Sequence, residues 1–220
     1  MAVHHAATIV PTKAELLAAW VPAQPWAAGA DTSSLTKVGS YRFDDPAGEV
    51  GVETHVLATA DGQVLHVPLT YRGAPRAGGE GSLVTTMTHT TLGDRWVYDA
   101  RHDPVYAAAL ATAIATGGRE ADLFLATPDG LEPQPASARV RGSGSGTSPA
   151  AGAWADPRVT VDGATSRLEG DGAALTVLHV LSTTTTVSAP ADGLVLTGTW
   201  PGQEEPVLLA EHRLDAASGS

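Results

Sequence analysis

Apolar and polar residues alternate with a period of two along much of the chain, which predicts short antiparallel strands. The clearest case is residues 50–72, where two alternating runs flank Asp61-Gly62, a dipeptide typical of two-residue hairpin turns. With this turn, one face of the hairpin is apolar, and Val56 lies opposite Val67. The other face is polar and carries Glu53, His55, His66, Thr70 and Arg72. We interpret it as a solvated face, with an acid-base or metal cluster as the alternative.

A second alternating segment covers residues 83–99, and Leu92-Gly93 is its predicted turn. This register gives one face to Met87, His89, Trp96 and Tyr98, and the opposite face to Arg95 and Asp99. The aromatic face has two interpretations. It packs in the core, with Arg95 and Asp99 as a structural pair, or it is a platform on which a sugar ring stacks. The size of a buried tryptophan favours the core.

Two segments have helical periodicity and clear end signals. Thr12 and Glu15 form a capping box before an apolar face, and Pro22 ends that helix. Asp103 and Pro104 are typical of an N-cap and a first helical residue, and Gly117 ends the second helix. The sequence therefore predicts one helix before the hairpins and one after them.

The composition changes after residue 135. A segment rich in Gly, Ser, Ala and Pro, "RGSGSGTSPAAGAWADP", is predicted to be a linker, and four short strand patterns follow it. We predict an α+β fold with two units. Residues 1–135 form an antiparallel sheet of hairpins packed by two helices, and residues 136–220 form a smaller all-β unit.

Charge and composition exclude several classes of function. The net charge is −11 and the only lysines are Lys13 and Lys37, so we expect no nucleic acid and no anionic membrane as partners. The chain has no cysteine, and no histidine pattern makes a convincing metal site, so we expect neither a metal nor another cofactor. It also lacks a basic leader and a long apolar run, so we expect a cytoplasmic protein of undetermined oligomeric state.

The order of a helix, "AWVPAQPW", strands ending in "VPLTYRG", and "WVYDARHDPVYAAAL" resembles the N-terminal cap domain of bacterial maltokinases over residues 12–117. That family typically has an Arg-Trp-Tyr-x-Gly motif after the first helix. Trp26 and Gly29 match it, whereas Pro25 and Ala27 replace the arginine and the tyrosine. The later half resembles the first strands of a kinase N-lobe. The resemblance implies a kinase-cap-like fold, here a stand-alone cap without the catalytic lobe.

The residues that phosphoryl transfer requires are absent from the matching positions. Thr176 stands where such kinases have the strand lysine, no lysine follows Lys37, and the chain has no asparagine to hold magnesium. The segment "GSGSG" lies where the family has its phosphate-covering loop, but it lacks the lysine of a phosphate-binding loop. We therefore expect no kinase activity.

Two classes of function remain. The first is a non-catalytic, cap-like binding or regulatory protein linked to α-glucan or maltose metabolism, which contacts a protein partner or a small carbohydrate. The second is a carbohydrate enzyme that uses acid-base residues of the sheet. The candidate ligand-binding residues are His89, Arg95, Trp96, Tyr98, Asp99, Glu53, His55 and Arg72.

Overall fold

A computed structural model of the chain describes residues 2–5, 7–150, 152–184 and 193–214. It is an α+β fold of mainly antiparallel strands with two α-helices, as the sequence predicts. The helices are α1 (Lys13–Trp20) and α2 (Pro104–Thr116). Neither helix in the described part of the chain is long and apolar enough to cross a membrane.

The strands are β1 (Ala2–His5), β2 (Ile9–Val10), β3 (Leu35–Phe43), β4 (Val50–Thr59), β5 (Val64–Arg72), β6 (Leu83–His89), β7 (Gly93–Asp99), β8 (Leu123–Thr127), β9 (Gly130–Gln134), β10 (Arg139–Gly142), β11 (Arg158–Asp162), β12 (Thr165–Gly170), β13 (Ala173–Leu178), β14 (Val180–Leu181), β15 (Leu194–Trp200) and β16 (Gln203–Leu214). The larger sheet has the order β2-β6-β7-β5-β4-β3, and β14 also pairs with β5. A six-stranded sheet has the order β10-β15-β16-β13-β12-β11, and β1-β8-β9 form a small third sheet.

Both predicted helices have the ends that the sequence indicates. Thr12 and Glu15 form a complete capping box at the start of α1. The Asp103 side chain accepts a hydrogen bond from the Val105 amide at the start of α2, and Gly117 ends that helix in the left-handed conformation. These signals are local, which is why the sequence reveals them.

The register predicted for the first hairpin is wrong by one residue. The amide of Thr59 donates to the carbonyl of Gln63, so the loop has three residues and ends at Gly62, whose φ is +82°. A three-residue loop of this kind closes with a left-handed residue, which glycine adopts at low cost. As a result, Val56 pairs with His66 rather than with Val67.

The register predicted for the second hairpin is also wrong, by three residues. His89 pairs with Gly93, so the loop is Thr90 to Leu92 and the turn is not centred on Leu92-Gly93. Met87 then lies opposite Arg95. Because cross-strand partners share a face, the face that carries Met87 and His89 is the face of Arg95, and Trp96 is on the other.

Both faces of the larger sheet are covered. On one face, α2 shares a core cluster with Val52 and Val56 of the larger sheet and with Leu196 and Leu209 of the six-stranded sheet. On the other face, a second cluster joins residues of α1 and Trp26 to the sheet. The solvated polar face predicted for β4 and β5 is therefore absent within the described residues, and Glu53, His55, His66 and Thr70 are all buried.

The segment "GSGSG" is a packing surface for the end of α2. The amides of Gly144 and Gly146 donate to the carbonyls of Ile114 and Ala115. A Cβ on Gly142 or Gly144 would lie 2.0 or 2.1 Å from a carbonyl oxygen of α2. The glycines permit this close approach, and the hydrogen bonds satisfy carbonyls that a helix end leaves without partners. The predicted linker is wrong for this part of the segment.

The larger core cluster contains residues from both sides of position 135, such as Tyr106 and Leu168. The division into units 1–135 and 136–220 stays a prediction. The strands expected after the glycine-rich segment are confirmed as β11, β13, β15 and β16.

Candidate functional site

The corrected register distributes the polar residues of the first hairpin over two faces. Glu53 and His55 of β4 lie on the face covered by α1, whereas His66, Thr70 and Arg72 of β5 lie on the face covered by α2. The single polar cluster expected from the sequence therefore does not form. Each face has its own polar network.

Glu53 is the centre of the first network. Its carboxylate is 3% exposed, and its Oε2 accepts hydrogen bonds from Lys13 Nζ and Arg42 Nη2, both at 2.5 Å. Arg42 is the direct cross-strand partner of Glu53, and Lys13 is the first residue of α1. One buried carboxylate thus holds two cations from different elements in place.

The charged groups in this cluster shift one another's pKa values. Burial by itself would raise the pKa of Glu53, but the nearby His55, Lys13 and Arg42 hold the pKa of this carboxyl well below its ordinary value of 4.5. Burial also lowers the pKa of Lys13, and the Glu53 carboxylate partly offsets that effect. Glu53 is therefore ionised at neutral pH, and its single negative charge offsets one of the two positive charges.

His55 and Tyr71 extend the same network. His55 Nε2 and the Tyr71 hydroxyl are 3.0 Å apart, and Lys13 Nζ lies 5.2 Å from the centre of the Tyr71 ring. Burial lowers the pKa of His55 to about 4, so the ring is neutral at pH 7. Its Nδ1 is enclosed and makes no hydrogen bond within the described residues, and Glu53 Oε1 lies 3.9 Å from it.

A cavity of about 450 Å³ lies above this network, and we call it the charged pocket. Its walls combine apolar side chains with polar and charged ones. The lining residues are Ile9, Lys13, Arg42, Phe43, Asp44, Asp45, Gly48, Glu49, Val50, Gly51, Val52, Tyr71, Gly73, Met87, His89, Leu92 and Arg95. The buried Glu53 fixes two of the cations that line this pocket.

Two residues predicted from the sequence, His89 and Arg95, line the charged pocket. His89 is partly buried, and its Nδ1 accepts from the backbone amides of Thr91 and Leu92. Arg95 projects from the same face of the hairpin, with Nη1 close to Gly73. The corrected register brings these two side chains together, whereas the predicted register separates them.

Asp99 belongs to a buried network away from the charged pocket. It forms an ion pair with Arg101, so the predicted pairing of Arg95 with Asp99 is wrong. Arg101 donates to Ser166 Oγ at 2.9 Å, and Ser166 Oγ lies 2.9 Å from His179 Nε2. Since His179 Nδ1 faces the carbonyl of His66 and donates to it, Nε2 accepts the Ser166 hydroxyl hydrogen. This network joins β7 to the second half of the chain.

Arg72 has a structural partner on the α2 side. Its guanidinium makes two hydrogen bonds to Asp103, which is 0% exposed and also accepts from Thr70 Oγ1. The N-cap of α2 is therefore tied to β5 by a bidentate ion pair. Sequence spacing alone gives no sign of this contact across 31 residues.

Trp96 and Tyr98 share a face but differ in burial. Tyr98 is 2% exposed, and its hydroxyl accepts from the Arg76 amide. Trp96 is only partly buried and belongs to neither core cluster. Tyr98 is buried, as the core interpretation expects, although it too belongs to neither core cluster, and the choice between core and sugar platform stays open for the partly buried Trp96. Neither side chain lines the charged pocket.

Another cavity, of about 560 Å³, lies along α2. Much of its wall is formed by small side chains such as Ala108 and Ala109. Three of the charged groups that line it already have partners, because Arg119 pairs with Asp122 and Glu120 accepts from the Val140 amide. This arrangement offers a ligand fewer convergent polar groups than the charged pocket does.

Sequence reasoning did not find Lys13, Arg42, Tyr71 or Arg101 as members of polar networks. Lys13 lies 40 positions from Glu53, and its only local signal is its place beside a capping box. Arg42 lies on β3, for which the sequence analysis predicted no register. Arg101 and Asp103 both belong to the sequence "RHDP" at residues 101–104. This segment has a structural role between β7 and α2.

Residues 20–103 match the family model of the maltokinase N-terminal cap domain, which confirms the resemblance over that segment. The match covers less than half of the chain. No curated protein matches. A solved structure of a glucosamine kinase in complex with glucosamine, ADP and inorganic phosphate is similar with a TM-score of 0.47 and 16% identity. The similarity covers 94% of this chain and 42% of that chain, so the present chain spans less than half of the kinase's length.

Proposed function

We propose that this protein is a non-catalytic binding protein that holds a small carbohydrate in the charged pocket, in a regulatory role linked to α-glucan metabolism. The observation that carries the proposal is that polar side chains on one side of this pocket are held in fixed positions. Carbohydrate sites need polar groups in fixed positions next to apolar or aromatic surface. Glu53 fixes Lys13 and Arg42, and Tyr71 lies beside them.

The cap-domain match supports a carbohydrate as the ligand class, because the family is named for a sugar kinase. It does not identify the sugar. We place the ligand in the charged pocket rather than on Trp96, because the pocket combines enclosure with several charged and aromatic groups. The cytoplasm is the location that we propose.

The contacts of the acid-base residues favour binding over catalysis. A general acid or base must reach the proton that it transfers. Glu53 is held by two cations, Asp99 is held by Arg101, and His55 is 0% exposed. Among the predicted acid-base residues, His89 lines the pocket, and its Nδ1 is engaged with its own turn.

The glycine-rich segment also argues against a phosphate-binding role. The amides of Gly144 and Gly146 donate to α2, so they are not directed at a nucleotide. We therefore propose that the protein does not bind Mg-ATP. Calorimetry that gives micromolar affinity for Mg-ATP would contradict this proposal.

A thermal-shift panel of glucose, maltose, trehalose, Mg-ATP and divalent metals tests the proposed function. We expect stabilisation by at least one sugar and by none of the other compounds. Chemical-shift mapping with that sugar should then move the resonances of residues that line the charged pocket. A pattern centred on Trp96 would instead place the site on the other face of the hairpin.

Two variants, each of which places a larger side chain in one of the two cavities, make the test specific. Gly51→Leu places a side chain beside Tyr71, where a Cβ meets its nearest atom at an ordinary distance of 3.4 Å. We expect this variant to fold and to lose sugar binding. Ala109→Leu partly fills the cavity along α2 and is the matched control, because we expect it to bind as the unmodified protein does. The opposite result would move the site to α2.

A further inference from the structure

The charged pocket has a larger share of cations than this acidic protein as a whole. The chain has 13 lysine and arginine residues against 24 acids. Three of those cations, Lys13, Arg42 and Arg95, line this one cavity. They come from α1, β3 and β7, so the fold assembles them from separate parts of the sequence. Three acids, Asp44, Asp45 and Glu49, also line it, so cations and acids are equal in number at this cavity, whereas acids outnumber cations in the chain.

Within the described residues, two of these cations keep hydrogen-bond donors that make no other bond. An ammonium group has three N–H donors and a guanidinium has five. Lys13 and Arg42 each donate one hydrogen bond to the same oxygen of Glu53. That oxygen fixes their positions, and their remaining donors belong to groups that line the cavity. Both side chains are partly accessible, at 26% and 21%.

Arg95 is the third cation, and its charge is not compensated by a carboxylate among the described residues. Its guanidinium makes a long contact of 3.5 Å with the carbonyl of Asp94. The same strand face carries Met87 and His89, which also line the cavity. A planar guanidinium in this position matches the geometry of a carboxylate or a phosphate.

The acids that line the cavity come from the turn between β3 and β4. The Asp45 carboxylate accepts from the amides of Ala47, Glu49 and Val50, so it is directed at its own backbone. Asp44 and Glu49 are exposed. The acidic groups therefore occupy one segment, while the cations come from other elements.

We infer that the ligand of the charged pocket carries an anionic group, a phosphate or a carboxylate, which is bound by Lys13, Arg42 and Arg95. This inference rests on the proposed carbohydrate function and makes it more specific, because the ligand becomes an acidic sugar. The sugar body lies against the apolar wall and Tyr71. The acids of the 44–49 turn lie at the edge of the cavity, where sugar hydroxyls can donate to them.

Calorimetric titrations with four probes test the inference. The probes are glucose, glucose 6-phosphate, glucuronic acid and inorganic phosphate. We expect at least one of the two acidic sugars to bind ten times more tightly than glucose does, with an affinity that falls as salt concentration rises. The comparison of the two acidic sugars distinguishes a phosphate from a carboxylate.

Arg95→Gln is the informative variant, because Arg95 forms no ion pair with any residue in the described part of the chain. It should reduce the affinity for the acidic sugar at least tenfold, and by a much larger factor than it reduces the affinity for glucose. Arg158→Gln removes the same charge from a side chain that is 82% exposed outside the pocket, and it should change neither affinity. Equal losses in the two variants would mean that only net charge matters, which would overturn the inference.

The outcomes separate the inference from the proposed function. If glucose binds and neither acidic sugar binds more tightly, the anion site is wrong and the carbohydrate function stands. If inorganic phosphate binds as tightly as the acidic sugars, the anion site stands and the carbohydrate function is wrong. If none of the four probes binds, both are wrong.

Discussion

The indole ring of Trp26 stacks on the imidazole ring of His179, with ring centroids 4.5 Å apart and an angle of 20° between the planes. Trp26 is 2% exposed and belongs to the core cluster under α1, while His179 belongs to the second half of the chain. Arg101 lies 5.9 Å from the Trp26 ring. The tryptophan shared with the maltokinase-cap motif therefore has a structural role here, because it joins distant parts of the fold.

We expect Trp26→Ala to lower the free energy of unfolding by about 3 to 5 kcal/mol, because it removes a large buried side chain. Trp96→Ala is the matched control, since Trp96 is only partly buried, and it should cost about 1 kcal/mol or less. Urea unfolding measures both values. Equal losses would show that Trp96 is as much a part of the core as Trp26.

Asp103 should stabilise the protein by more than its role as the N-cap of α2 explains. A lost N-cap costs about 1 kcal/mol, whereas an unpaired partner of a buried ion pair costs about 3 to 5 kcal/mol. Because Asp103 also binds Arg72, we expect Asp103→Ala to cost about 3 kcal/mol or more. Asp103→Asn keeps an oxygen for the cap but loses the charge. It should therefore recover only a minor part of the stability that Asp103→Ala loses. Chemical unfolding that gives a loss near the cap value for Asp103→Ala would show that the ion pair adds nothing.

Two glycines of one segment should respond differently to alanine. A Cβ on Gly144 would lie 2.1 Å from the Ala115 carbonyl oxygen, a backbone atom that cannot move without distorting α2. The corresponding distance at Gly146 is 3.6 Å, an ordinary contact. We expect Gly144→Ala to lower the melting temperature strongly and Gly146→Ala to change it little. Similar melting temperatures for the two variants would mean that the segment does not pack on α2.

Glu53→Gln should destabilise the protein by about 3 kcal/mol at pH 7, because Lys13 and Arg42 lose the buried negative charge that both contact. Glu169→Gln is a control at an exposed ion pair, and it should cost about 0.5 kcal/mol or less. The pKa of Glu53 is lower in the folded protein, so its stabilisation is complete above its ordinary value of 4.5 and is lost as the pH falls through the folded value. The difference between the unmodified protein and Glu53→Gln should therefore shrink in unfolding experiments below pH 4.5. A constant difference would contradict the ion-pair explanation.

Buried histidines should make the protein less stable in mild acid. Burial lowers the pKa of His55 and of His66 to about 4, and burial with the nearby Arg101 charge lowers the pKa of His179 as well. Between pH 6.5 and about 4, the unfolded chain binds protons that the folded chain excludes. Each such histidine lowers stability by up to about 1.4 kcal/mol per pH unit. Urea unfolding at several pH values measures the slope.

His66→Gln provides the comparison for that slope. It removes one of the buried titrating groups, whose ring is bonded to the Tyr41 hydroxyl and the Leu178 carbonyl. The variant should be less stable at pH 7 and should lose less stability on acidification than the unmodified protein. An unchanged slope would show that His66 is protonated in the folded state.

The sequence by itself determined the features that depend on neighbouring residues. The Thr12 and Glu15 capping box, the Asp103 N-cap and the left-handed Gly117 are all local hydrogen-bond or conformational signals. Strand positions follow from alternation, and the maltokinase-cap resemblance follows from the order of motifs.

The tertiary structure decided which residues meet. Each hairpin loop has three residues where the sequence indicates a two-residue turn, and a shift of one residue changes every cross-strand partner. Helices then cover both faces of the sheet, so the predicted solvated face became two buried networks. The pairing of Lys13 with Glu53 and of Arg101 with Ser166 depends on how elements distant in sequence pack. Alternation and capping describe one segment at a time, whereas these contacts arise only when the segments share a core.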